Sequence, residues 1–165
     1  MTELTHIDHS GKARMVDVSA KASTRREAKA SAVLRCHADT VAAVVSGRTP
    51  KGAVISTAEL AGLMAAKRTA ELIPLCHPLA LSKAEVTIEP DRKLPGFRIA
   101  ARVVTTGPTG VEMEALTAAT VAGLTVYDML KAIDCEMVMG EVRVDSKTGG
   151  ASGDWQREGG GGDER

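Results

Sequence analysis

Two alternating runs, KAEVTIE from Lys83 to Glu89 and GFRIAARVVTT from Gly96 to Thr106, stand on either side of PDRKLPG. Side chains of a strand point to opposite faces in turn, so Ala84, Val86 and Ile88 share one face. A turn carrying Pro and Gly between two such runs predicts an antiparallel hairpin. What lies on either side of a hairpin then fixes the fold class, and here both flanks read as helical.

Thr24 with Glu27 in TRRE has the spacing of a capping box, and Ala30, Val33, Leu34, His37, Val41, Val44 and Val45 follow at helical intervals until Gly47. This predicts a first long helix. A second box, Ser56 with Glu59, opens a helix that Pro74 closes, and its small residues Ala58, Ala61, Gly62 and Ala65 suit close approach by another backbone. Beyond the hairpin, Val111 to about Cys135 predicts a third helix with Leu116, Thr120, Leu124 and Tyr127 on one stripe. Strands are expected at Arg14 to Ser19, around Met15, Val16 and Val18, and at Met137 to Asp145. The order β, α, α, β, β, α, β predicts an α+β fold: a ferredoxin-like split βαβ sandwich, with a four-stranded antiparallel sheet, helices on one face and one added helix. Residues 1–13 and the Gly-rich residues 149–165 are expected to be mobile ends around a single domain, 14–148.

The core must be made of small residues. Of 165 residues only Phe97, Tyr127 and Trp155 are aromatic, although the apolar fraction is 44%. The same scarcity removes the stacking platforms of single-stranded nucleic-acid binders. Equal numbers of basic and acidic residues, 21 each, give no overall field for a polyanion. Nucleic acid is therefore excluded as a partner, and no run is long enough to span a membrane. Three cysteines and a polar amino terminus fit a cytoplasmic protein with reduced thiols.

Cys76 and His77 stand between two prolines in LIPLCHPLAL, and Cys36 with His37 is a second adjacent pair. Zinc ligands are usually two to four residues apart, and a nucleophilic Cys usually takes its base from elsewhere in the chain. Neither pattern fits, so no metal is expected. Pro74 and Pro78 stiffen the loop, which leaves a ligand-binding loop or a structural turn. Asp128 and Lys131 are helix neighbours, either a surface ion pair or groups that tune one another. Glu112 and Glu114 are either solvated acids at a helix start or ligand contacts. Lys51 is a loop lysine between Pro and Gly, and it counts among the cations open to a polyphosphate with Arg26, Lys67, Arg68, Lys131 and Lys147. If the third helix is continuous, Glu114 and Asp128 lie about 21 Å apart along it. One ligand touching both would need two chains, so a homo-oligomer is expected.

The segments MVDVSAK, AGLMAAKRTAELIPLCHPLALS, TGVEMEALTAATVAGLTVYDMLKA and KTGGASGDW resemble the cyclic pyranopterin monophosphate synthase family of molybdenum cofactor biosynthesis over Met15 to Trp155. The resemblance implies a ferredoxin-like fold, a hexamer formed as a trimer of dimers, and a lyase reaction. In that reaction 3′,8-cyclo-7,8-dihydroguanosine 5′-triphosphate, a cyclic dihydro-GTP, becomes cyclic pyranopterin monophosphate and pyrophosphate. By the same resemblance Asp128, Lys131 and Lys51 match the catalytic positions. Leu75, Cys76, His77, Met113 and Glu114, with Glu112, match substrate-contacting segments, and Arg26 and Lys147 match further polar positions. No cofactor is implied, and a divalent ion accompanying the triphosphate is left open. Leu130 stands where many members carry Cys. A lysine acting as a base is expected to have a lowered pKa, which an ionised Asp128 would oppose. The competing reading is a non-catalytic purine nucleotide-binding module of the same fold, which would be free to lose Asp128, Lys131 and Lys51.

Overall fold

The computed structural model describes Ile7 and residues 10–158, so most of the 1–13 segment and residues 159–165 of the tail lie outside the described residues. Nine elements follow one another: β1 (Thr24–Arg35), α1 (Ala38–Val45), α2 (Val54–Ala66), α3 (Thr69–Leu72), β2 (Leu81–Asp91), β3 (Gly96–Gly107), α4 (Glu112–Leu130), β4 (Val138–Thr148) and β5 (Trp155–Gln156). The sheet order is β2-β3-β1-β4-β5, with every pairing antiparallel. Its first four strands have the ferredoxin-like arrangement. The sheet has five strands rather than the expected four, because the tail turns back and lays Trp155–Gln156 along β4.

The expected first helix is the main correction. Its first half is β1, the central strand, and only Ala38–Val45 is helical. Ala28, Ala30, Ala32 and Leu34 are all buried on the helix-covered face, at intervals of two, while Lys29 and Arg35 are exposed. Glu27 caps no helix. It takes both oxygens to Arg102 of β3, at 2.8 and 2.9 Å, and this guanidinium pulls its carboxyl down to about 2. Cys36 and His37 form the β1–α1 junction instead of lying on a helix. There Asp134 accepts the His37 N–H at 2.8 Å and the Thr40 hydroxyl at 2.9 Å. Met15 to Ser19 is irregular, with no strand partner among the described residues.

The expected helix ending at Pro74 begins two residues before its supposed cap, at Val54, and breaks after Ala66 into the short α3. Ser56 and Glu59 lie inside α2, where Glu59 accepts the Ile88 N–H of β2. Helices α2 and α4 cover one face of the sheet, and the core between them is small-grained. Ala58, Ala115, Ala118, Ala119 and Ala122 are all at 0% exposure. A Cβ on Gly62 would stand 2.8 Å from the Ala118 carbonyl oxygen, which shows how closely the two helices approach. The stripe of Leu116, Thr120, Leu124 and Tyr127 lies at the margin of the core: Leu124 is exposed, the other three are half-buried, and Leu116 and Tyr127 pack against the buried residues. The alanine stripe, continued by Val126, Met129 and Leu130, faces the sheet.

Candidate active site

Helix α4 carries a polar cluster at each end. At its carboxyl end Asp128 lies on the last turn and Lys131 follows as the cap. Lys51 reaches them from the loop between α1 and α2. Its ammonium is 2.8 Å from Asp128 Oδ2 and 2.9 Å from the Asp128 carbonyl oxygen, one of those a helix end leaves without an intrahelical donor. The Lys131 ammonium is 2.8 Å from Asp128 Oδ1. Each carboxylate oxygen therefore holds one ammonium, where the helix dipole also favours cations. Lys131, and after it Lys51, draw the Asp128 carboxyl down to about 2, and Asp128 in turn raises the Lys131 pKa. That direction opposes the lowered value expected of a base. While Asp128 is ionised beside it, Lys131 holds its proton more tightly than an isolated lysine does.

The amino end of α4 gathers residues from four places. Antiparallel register sets Lys147 of β4 opposite Ala28 of β1, so Lys147, Arg26 and Ala28 share the helix-covered side. Lys147 pairs with Glu112 Oε1 at 3.1 Å. Arg26 donates to the Gly107 and Pro108 carbonyls, both at 3.2 Å, and so braces the β3–α4 loop. The loop after α3 brings Leu75, Cys76 and His77 alongside. The Cys76 thiol lies 3.6 Å from Glu114 Oε1, and His77 Nε2 lies 2.7 Å from the Val16 carbonyl.

Glu114 is 3% exposed, and its Oε2 has no hydrogen-bond partner among the described residues. Burial raises its pKa, and the charge of Glu112 adds to the effect. Burial, with Glu114 beside it, pushes the Cys76 thiol up to about 11, so it is no thiolate near neutral pH. Two cavities meet here. One of about 470 Å³ is lined by Val16, Val18, Lys21, Leu75, Cys76 and His77, among others. A second of about 220 Å³ holds Arg26, Glu27 and Lys147, and both include Thr109, Gly110 and Glu112. A larger hollow of about 750 Å³, beside β2, β3 and Leu63, contains none of the sequence-predicted residues.

The structure thus brings Lys51, Asp128 and Lys131 together, and separately brings together Arg26, Leu75, Cys76, His77, Glu112, Met113, Glu114 and Lys147. It does not join the two groups, because α4 is continuous between them and holds Glu114 and Asp128 about 21 Å apart. Among the described residues no three His, Cys, Asp or Glu side chains are placed to hold a metal ion. The sequence reading missed Val16, Val18 and Lys21 as cavity residues. Alternation of the two valines was the signal: it was read as a strand, whereas it marks two side chains turned into one cavity.

Fold and site together define an α+β protein of ferredoxin-like topology, with polar clusters at both ends of one helix. Residues 15–150 match the MoaC family, and the chain belongs to it. Among its relatives are the cyclic pyranopterin monophosphate synthases of Brucella ovis and Brucella melitensis biotype 1, each 57% identical over 153 residues, or 93% of either chain. That of Brucella canis is 56% identical over the same length and coverage.

Proposed function

We propose that the chain is a lyase that converts the cyclic dihydro-GTP 3′,8-cyclo-7,8-dihydroguanosine 5′-triphosphate into cyclic pyranopterin monophosphate, releasing pyrophosphate, in molybdenum cofactor biosynthesis. The observation that carries this reading is the Lys51–Asp128–Lys131 cluster, in which one carboxylate holds two ammonium groups in a half-exposed place. Opening the base's five-membered ring, forming the pyranopterin and closing the cyclic phosphate all require proton transfers. Expulsion of pyrophosphate requires cations beside the phosphates. Lys51 and Lys131 are assigned the proton transfers. Asp128 holds both ammonium groups in place until a ligand phosphate competes for them.

The amino end of α4 is assigned to substrate binding, through Arg26, Leu75, Cys76, His77, Glu112, Met113, Glu114 and Lys147. Because a rigid helix separates it from the lysine cluster, each complete site takes one end from each of two chains in a homo-oligomer, a hexamer made as a trimer of dimers. No resident cofactor is assigned. A divalent ion, where one takes part, arrives with the triphosphate. No helix among the described residues is long and apolar enough to cross a membrane. A cytoplasmic location is assigned on the three free cysteines.

The test is to supply freshly prepared cyclic dihydro-GTP and follow pyrophosphate and pterin. The wild type should form both, and Asp128→Ala or Lys131→Met should lower kcat by roughly 10²- to 10⁴-fold, the usual contribution of a general acid or base. Absence of product with wild type, or full activity in Asp128→Ala, rejects the assignment. The first of these outcomes would favour the nucleotide-binding module.

A further inference from the structure

The irregular chain ahead of β1 is fastened to the body of the protein. Val16 and Val18 both line the cavity of about 470 Å³. Asp17 between them is exposed and accepts the Ser19 N–H at 2.9 Å and the Ser19 hydroxyl at 2.6 Å. The Lys21 N–H donates to the Val18 carbonyl at 3.0 Å, which curls the chain so that Lys21 also lines the cavity. The fastening is made by His77. A carbonyl oxygen can only accept, so the 2.7 Å contact to Val16 places the imidazole proton on Nε2. His77 is itself held between Pro74 and Pro78.

Lys21 is the one lysine or arginine lining this cavity, and among the described residues its ammonium has no hydrogen-bond or ion-pair partner. The neighbouring cations are engaged: Arg26 with two carbonyls, Lys147 with Glu112.

We propose that residues 14–21 form a fixed wall of the ligand cavity, that His77 is the positioning residue pinning this wall through the Val16 carbonyl, and that Lys21 is the cation the wall presents to the ligand's phosphate chain. The inference rests on the reading of the substrate as a ring-bearing triphosphate. Val16, Val18, Ile73 and Leu75 give the apolar surface a ring requires, while an ammonium serves phosphate as a point charge. A wall ordered before binding also spares the ligand the entropic cost of ordering it.

Two measurements test this, neither of which needs turnover. Tryptic cleavage after Arg14 or Lys21 in the free protein reports on the wall. Losing one hydrogen bond should make it roughly fivefold faster in His77→Ala. His77→Gln, whose amide can reach the same carbonyl, should stay near wild type, and an unchanged rate in His77→Ala overturns the latch. Inorganic pyrophosphate binding, followed by calorimetry, reports on Lys21. Lys21→Met should weaken it by roughly tenfold or more, and Lys21→Arg should keep most of it. An unchanged Kd in Lys21→Met, or no binding by wild type, overturns the cation's role. Failure of the synthase reading appears separately, as absence of product from wild type.

Discussion

Glu114 is a carboxyl group almost wholly removed from water. A carboxyl group with one orphan oxygen at 3% exposure is costly to ionise, and its pKa lies above the ordinary value of 4.5. The folded state therefore keeps this proton to higher pH than the unfolded chain does. Stability from this source is intact below the unfolded value and falls as pH rises through the folded one. Glu114→Gln removes the ionisation. Its denaturation midpoint should be close to that of wild type at pH 4 and exceed it by a growing margin towards pH 8, and a constant difference across that range would contradict the burial argument. Cys76 shares this pocket with its thiol raised to about 11, so it lines the cavity as a neutral thiol and not as a nucleophile. Cys76→Ser should keep turnover within about tenfold of wild type, well short of the loss expected for a nucleophile. Iodoacetamide at pH 7 should react with Cys76 slowly.

At the scale of elements, α2, α4 and the β1 centre approach one another across alanine and glycine. Adding a side chain there should be expensive: a Cβ on Gly62 meets a backbone oxygen at 2.8 Å, with Val86 Cγ2 at 3.1 Å and Ala122 Cβ at 3.2 Å. Gly62→Val should destabilise by about 1–3 kcal/mol, as overpacking does, read from urea unfolding. The same small residues explain what the sequence showed and what it concealed. The β2–β3 hairpin was legible, because Val86, Ile88, Ile99 and Val103 alternate with polar or smaller neighbours. So were α2 and the long α4. β1 was not, because Ala28, Ala30 and Ala32 count as apolar in either period and alanine is the strongest helix former. The choice was made elsewhere, by pairing with β3 on one side and β4 on the other, which no local pattern records. Which face of α4 is buried was not legible for a related reason: Leu116 and Leu124 are the larger side chains, whereas the residues wholly buried along most of the helix are alanines. At the site, residue types and the spacing of Asp128 and Lys131 were readable. The reach of Lys51 across the fold, and the turn of the Val16–Lys21 chain into the cavity, depend on tertiary structure.

For the whole molecule, the proposal that both ends of α4 serve one site has to be reconciled with the path of the helix. Helix α4 runs unbroken from Glu112 to Leu130, so no hinge within it could fold one end onto the other. A two-fold pair of chains would instead set the amino end of one α4 against the carboxyl end of its partner, twice over. This has a numerical consequence. Glu114→Ala and Asp128→Ala chains, each inactive alone, give mixed pairs in which one site carries both lesions and the other carries neither. Random reassortment of equal amounts makes about half of the pairs mixed, and each mixed pair has one intact site of two, so activity should return to about a quarter of wild type. The mixture must first be allowed to exchange, for instance through mild denaturant and dilution, with the proportion of mixed pairs checked by mass spectrometry. Confirmed exchange without recovered activity would mean that each chain completes its own site, and the division of labour along α4 would have to be abandoned.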